Sequence, residues 1–580
     1  MAGAAHAAIA ARERGAPVHA GAPEASRRRY ALVAIVLAGI AYATMIQSFS
    51  WNQTSHFDLI RALDHGRTTI DAYQSNTGDK VLYRGHWYSA RAPGLALYSL
   101  PFYELLKAVN AEAAARASAA QKGEDEMIYF IGLWANVLPA FLLLLVVWRV
   151  AERFEPGYGA AAAIVLGLGT LVLPLATLLF SHVLSTLLAF TAFALMMRER
   201  DGPPSPKLLA LAGLAIGYGV TSEYPVLFAG VVLGGYLLSR PGALRPRALA
   251  TRAGAYVGGG FVGIVPLLVY NHYAFHSWTH LAYANVPRQQ KGFFGIGAPS
   301  PHVLATLLFD SRGLLTLSPV LLMGAIGTAM IYRRARRAEA LCIAAICVCY
   351  VGYNSGYYLP FGGGFMGPRF LTTMLPFLAP GIAVCFKRLP GPTIALAGVS
   401  IAAIAIAAVT HPLVGYENET VIWGRLLIHG CEALPPAHCE HNRFQPTIAS
   451  AFGIGRGWSA IWPFVLAAGG AVLLAVRASA AGALRPRALA TGVLAIAAWG
   501  LFAALAPTLL GIDHQGLLSI VGAGDHTALN LKLHDGSRYP LQTLVPIAAG
   551  AALAALALAL AWRRAQPLRG SPRPLSGARS

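Results

Sequence analysis

Charge is scarce in this sequence: Asp, Glu, Lys and Arg make up 12% of its 580 residues, against 56% hydrophobic residues and a mean hydropathy of +0.54. That scarcity excludes a soluble globular domain, in which about a quarter of residues are charged. Acidic residues are scarcer than basic ones, 25 against 45, for a formal charge of +20, and there are only six cysteines. Several catalytic signatures are missing as well. No G-x-x-x-x-G-K-[ST], H-E-x-x-H or G-x-S-x-G occurs, so ATP hydrolysis and the common protease and esterase chemistries have no support.

What is present is apolar helix. Runs of about 17 to 25 residues, enough to cross a hydrocarbon layer of roughly 30 Å, begin near positions 31, 128, 158, 182, 207, 225, 253, 313, 339, 369, 391, 460, 488 and 542. They predict an all-α polytopic membrane protein of about 14 transmembrane helices. The net charge does not call for nucleic acid. With the N-terminus placed in the cytoplasm and sides alternated, 28 of the 45 Lys and Arg but only 7 of the 25 Asp and Glu fall inside. This follows the positive-inside rule and predicts both termini in the cytoplasm. The basic residues sit in small clusters beside helix ends rather than on one face, so no nucleic-acid partner is expected.

Residues 1–29 are Ala-, Gly- and Pro-rich and predict a disordered tail ending at Arg27-Arg28-Arg29; 30–562 form the membrane domain and 563–580 a basic cytoplasmic tail. Ala41-Tyr42-Ala43 at the end of the first span leaves a cleaved signal peptide as a second reading. Four cysteines, Cys342, Cys347, Cys349 and Cys385, fall in spans as small packing residues. Cys431 and Cys439 share an external loop, where a disulfide fits an oxidising compartment; a metal site with His438 is the other reading.

The polar residues gather outside, in loops 50–127, 271–312, 354–369, 411–459 and 508–541. The stretch 52–94 is the densest. In it Ser55 to His65 predicts an amphipathic surface helix with Phe57, Ile60 and Leu63 on one side and Asp58, Arg61 and His65 on the other. Asn76 to Asp79 is a turn, Leu82 to Tyr88 is strand-like, and Pro93-Gly94 opens a second amphipathic segment to Val109. Ser55-x-x-Asp58 also fits a helix N-cap. Asp71 and Asp79 stand in irregular chain, where function concentrates, although Asp79 also fits a turn. His182 and Glu223 stand at external helix ends, and an ionisable group near membrane depth is a functional candidate. Tyr83, Trp87, Tyr88, Trp278, Tyr283, Tyr357 and Tyr358 suit either sugar stacking or an interfacial aromatic belt.

A first span, a large external loop with a surface helix, a Tyr-rich segment running into Ala90-Arg91-Ala92-Pro93-Gly94, and then many spans resembles the GT-C glycosyltransferases, in particular bacterial protein O-mannosyltransferase-like and lipid A aminoarabinose transferase-like proteins. Residues near His182 and Glu223, and Gly367-Pro368-Arg369, add to the resemblance. It implies an inverting transfer of a sugar from a polyprenyl-phosphate donor to a lipid, glycan or protein acceptor, on the external face of a bacterial inner membrane. Transfer from a lipid phosphate needs a carboxylate to take the acceptor proton and a cation to stabilise the departing phosphate; Asp58, Asp71, Glu223 and His182 are the candidates for the catalytic groups, Arg91 and Arg369 for donor phosphate, and Asp79 and Tyr88 for the surrounding loop. The family's acidic pair ahead of the surface helix is replaced by Gln53 and Thr54, and its acidic-Lys-Pro motif keeps only the cation, at Arg91. A divalent cation is therefore left open as a cofactor. Two other classes remain beside the enzyme: a transporter or lipid flippase, and a non-catalytic relative that binds lipid-linked sugar. The absence of an internal repeat, and spans nearly free of charge, favour an interfacial enzyme over a transporter.

Overall fold

A computed structural model describes residues 24–47, 49–109, 124–334, 336–414, 423, 444–454, 457–480 and 485–510. Cys431, Cys439, His438, the run beginning near 542 and the tail at 563–580 lie outside these. The described chain is mostly helical. Seven of its helices are long and apolar enough to cross a membrane, or eight if the pair Pro301–Leu317 and Val320–Tyr332, bent by 88°, makes one span. It is a multi-pass membrane protein.

Some runs behave differently from their expected spans. Helix α1, Glu24–Ala43, begins before Arg27-Arg28-Arg29 and takes that cluster into its first turns, with Arg28 on Glu24 at 2.6 Å. Its predicted start at residue 30 is corrected by six residues. The runs at 158 and 225 form only short apolar helices, Gly159–Leu168 and Val226–Leu237. The first breaks at Gly169-Thr170, where the Thr170 hydroxyl donates to the Leu166 carbonyl at 2.5 Å. Local back-bonding of this kind competes with the helix ladder.

Small residues set the packing. In the helix Pro206–Ser222, Gly213 and Gly217 lie so close to the backbone of Pro246–Phe275 that a Cβ on either would overlap the carbonyl oxygens of Tyr256 and Gly260. Close approach of this type is how helices associate in lipid, where burying apolar surface gives no driving force. The basic helix ends, meanwhile, are tied together around the acidic residues that accompany them. Glu155 receives Lys387, and Arg334 at 3.1 Å; Glu199 receives Arg252; Glu339 receives Arg200 at 2.8 Å.

The loop after α1 departs most from expectation. Helix α2 spans Trp51–Asp64, beginning four residues ahead of Ser55, and every residue from Asn52 to Ala62 is buried. It is an internal helix, because its polar face meets other protein and not water. Asp58 is fully buried and receives Arg61 at 2.5 Å, whose guanidinium lies 4.6 Å from the Phe57 ring centre and 4.1 Å from that of Tyr73. Ser55 is mid-helix and its hydroxyl donates to the Asp79 carbonyl at 2.6 Å, so the N-cap reading of Ser55 and Asp58 does not hold. Removing one partner of a buried pair strands the other charge, at a cost of about 3–5 kcal/mol. Asp58→Ala should therefore lower the thermal midpoint in detergent steeply; a variant that lost turnover while melting as the native protein does would contradict this structural role.

The strand-like segment is a hairpin. Strand β1, Lys80–Tyr83, pairs antiparallel with β2, His86–Ser89, and the two-residue turn has Arg84 at φ 49° and Gly85 at φ 85°. Positive φ at both central residues matches the twist of a tight hairpin. Asp71 anchors it from outside, accepting from Trp87 N at 2.7 Å and meeting His86 Nδ1 at 2.8 Å. Helix α3, Gly94–Val109, follows as expected.

Candidate active site

The open end of the hairpin brings Asp79 opposite Ala90, whose N–H donates to the Asp79 carbonyl at 3.0 Å. Arg91, one residue on, pairs with the Asp79 carboxylate. Burial pushes the Arg91 guanidinium toward losing its proton, but Asp79 outweighs that and raises it above its ordinary value. Asn52 lies against the same guanidinium; with its amide oxygen turned inward it accepts from Nη1 at 3.3 Å and Nε at 3.1 Å.

Two contacts fix this loop on the helices. The Gly94 backbone is pressed against Ser222, leaving no room for a Cβ, and Tyr218 donates to the Gly94 carbonyl at 3.0 Å. On the other side Gln53 accepts from Leu179 N at 3.1 Å. The turn so held presents Ser181 and His182. Both bond Glu223 at the end of the helix Pro206–Ser222: the Ser181 hydroxyl donates to its carboxylate, and His182 Nδ1 lies 2.8 Å from it. Burial pushes the Glu223 carboxyl up, yet His182, Ser181 and Arg91 outweigh burial and hold it below the usual carboxylate range.

Arg369 enters from the opposite wall. It opens the segment Arg369–Arg388, which Gly381 packs onto Gly327 of Val320–Tyr332 at backbone distance. Its side chain is 5% exposed, its guanidinium lies 5.1 Å from the Phe180 ring centre and 5.4 Å from that of Phe370, and Nε has no partner. Among the described residues no carboxylate reaches it within 4 Å.

Between these walls lies a cleft of about 500 Å³, lined by Asn52, Asp79, Arg91 and Arg369, by Tyr283, Tyr357, Tyr358 and Phe370, and by Gly362, Gly363 and Gly364. Asp79 is its only carboxylate among the described residues. The predicted residues thus divide. Arg91, Arg369 and Asp79 meet in the cleft, with Glu223 and His182 beside Arg91. Asp58, Asp71 and Tyr88 are not brought there: Asp58 is held by Arg61, Asp71 by the hairpin, and Tyr88 packs 4.9 Å from Phe275. A divalent cation does not fit the donor set. Among the described residues no three of His, Cys, Asp or Glu converge, and the cleft carboxylate already carries Arg91.

His56 was not singled out in the sequence. It stands one helical turn from Asn52, fully buried, and neither ring nitrogen has a partner among the described residues. Burial pushes its imidazole down to about 3, helped by Arg91. Below the unfolded value of about 6.5 the unfolded chain takes up a proton that the folded one refuses, so stability from this group is complete above that pH and is lost as pH falls toward 3. Between about pH 6.5 and 5 the loss amounts to about 2 kcal/mol. His56→Gln should flatten the fall of the thermal midpoint over that interval, and an unchanged slope would contradict the assignment.

No family model matches the sequence, and no curated relative matches it. Among solved structures the chain is similar to ArnT from Cupriavidus metallidurans bound to undecaprenyl phosphate, at 15% identity and a TM-score of 0.39, covering 92% of this chain and 77% of that one. The apo state of the same protein gives the same values. It is also similar to the archaeal oligosaccharyltransferase AglB from Archaeoglobus fulgidus in complex with an inhibitory peptide and a dolichol-phosphate, at 11% identity and a TM-score of 0.41, covering 74% and 60%.

Proposed function

We propose that this protein is an inverting membrane glycosyltransferase, taking a sugar from a polyprenyl-phosphate donor and passing it to a lipid, glycan or protein hydroxyl. The observation that carries the reading is the pair of guanidiniums facing one cleft, one neutralised by Asp79 and the other without a carboxylate among the described residues. A buried cation left uncompensated costs several kcal/mol, and an anionic ligand removes that cost. Guanidinium suits phosphate because its fork can donate two parallel hydrogen bonds.

In this reading Asp79 takes the proton of the acceptor hydroxyl as its oxygen bonds to the anomeric carbon. The bond from that carbon to the phosphate oxygen breaks, its electron pair stays on the phosphate, and Arg369 and Arg91 hold the charge that develops. Glu223 and His182 are positioning residues that fix the charge behind Arg91. The aromatic wall of Tyr283, Tyr357, Tyr358 and Phe370 packs on the sugar. The external face is supported by charge: the site lies at the ends of α1, His182–Asp201 and Arg369–Arg388 opposite their basic clusters, and at the end of Pro206–Ser222 opposite Lys207. The setting is then a bacterial inner membrane with lipid donor entering sideways.

The test is sugar transfer by purified protein in vesicles given a panel of polyprenyl-phosphate sugars and membrane-extract acceptors, with Arg91→Ala in parallel. Product from the native protein that Arg91→Ala abolishes is expected. Movement of the lipid across the bilayer without transfer would replace the reading by a flippase, and specific binding without either by a non-catalytic relative.

A further inference from the structure

The Gly362-Gly363-Gly364 segment lines the cleft beside Arg369 and brings only main-chain groups to it. Gly362 and Gly363 have φ of 77° and 91°, a region that side chains rarely adopt. A Cβ at Gly362 would also overlap the Arg369 guanidinium, so glycine there is what lets the backbone and that cation share one place.

The hydrogen bonds of this turn leave a remainder. Gly362 N donates to the Leu359 carbonyl at 2.9 Å, Phe365 N to the Gly363 carbonyl at 2.8 Å and Met366 N to the Pro412 carbonyl at 3.0 Å. The N–H groups of Gly363 and Gly364 have no acceptor among the described residues, although Gly363 is buried. Buried backbone donors are nearly always paired, so the unpaired one at Gly363, followed by a second at half-buried Gly364 and set beside the unpaired guanidinium Nε of Arg369, needs an explanation. Successive main-chain N–H groups in a turn with left-handed residues form a concavity that binds anions.

We infer that the backbone N–H groups of Gly363 and Gly364 form, with Arg369, a cradle for the phosphate of the lipid donor. This rests on the proposed transferase reading and specifies which groups take the leaving phosphate. The main chain holds two of the phosphate oxygens while Arg369 supplies charge. Arg91, shared with Asp79, adds its charge to the same phosphate from the opposite wall.

The experiment is hydrogen–deuterium exchange over residues 361–366 of the full-length protein in detergent, with farnesyl phosphate, farnesol or inorganic phosphate added at matched concentration. Binding of each probe is measured by calorimetry, with Arg369→Ala as control. Exchange at Gly363 and Gly364 slowed at least about tenfold by farnesyl phosphate and unchanged by farnesol is the expected result. Equal slowing by inorganic phosphate would keep the cradle and remove the need for a lipid. Farnesyl phosphate that binds, and loses affinity in Arg369→Ala, while leaving the two amides unprotected would overturn the cradle and spare the cleft reading. If no probe binds through its phosphate, both fall.

Discussion

Arg369→Ala should lower kcat/KM for sugar transfer by about 10²–10³-fold, the usual effect of removing one preorganised donor from a developing oxyanion. The reason is specific to where this residue sits. Arg369 is 5% exposed, wedged between Phe180 and Phe370, and no carboxylate among the described residues takes up its charge. In such a site its attraction for phosphate is little screened by water. Arg369→Lys should recover only part of the loss, because ammonium keeps the charge but loses the planar fork. Steady-state kinetics with a saturating acceptor check this. A change in KM alone, with kcat intact, would mean that Arg369 holds donor and transition state equally.

Asp79→Asn is the second large effect, a fall in the single-turnover rate of about 10²–10⁴-fold, the range for loss of a general base. Asn keeps the shape and one acceptor toward Arg91, so donor binding should change much less than turnover. The comparison with Glu223→Gln is informative, since Glu223 touches Ser181 and His182 and does not line the cleft. If Glu223→Gln stopped the chemical step and Asp79→Asn did not, the base would have to be reassigned to the Glu223–His182 pair.

How much of this was legible in the sequence depended on whether a residue's role was local. The apolar runs gave the membrane class, and Pro93-Gly94 gave the start of α3, because length and turn chemistry are properties of a short stretch. Arg91 and Arg369 could be named as phosphate candidates from their motifs and positions. The pairing of Arg91 with Asp79 could not, since it depends on hairpin register, in which Lys80 faces Ser89 and so sets Asp79 opposite Ala90. Helix α2 misled for a related reason. Its alternation of polar and apolar faces is that of a surface helix, but its polar side is covered by the hairpin and by the turn at Leu179. Once that face is internal, Asp58 becomes half of a buried pair. His56, which looked like one more polar residue, becomes an unpaired buried imidazole. A helix start at Trp51 would have put Asn52 and His56 one turn apart on the same face, the one sequence signal that could have singled them out.

Binding of a lipid phosphate in the cleft between Arg91 and Arg369 underlies the proposed transfer. Its most direct test is equilibrium binding of a short-chain polyprenyl phosphate and of the matching polyprenol to purified protein, native and Arg369→Ala. The phosphate should bind the native protein at least about tenfold more tightly than the alcohol, a difference of about 1.4 kcal/mol, and Arg369→Ala should erase that difference. Equal affinity for phosphate and alcohol in the native protein would contradict it.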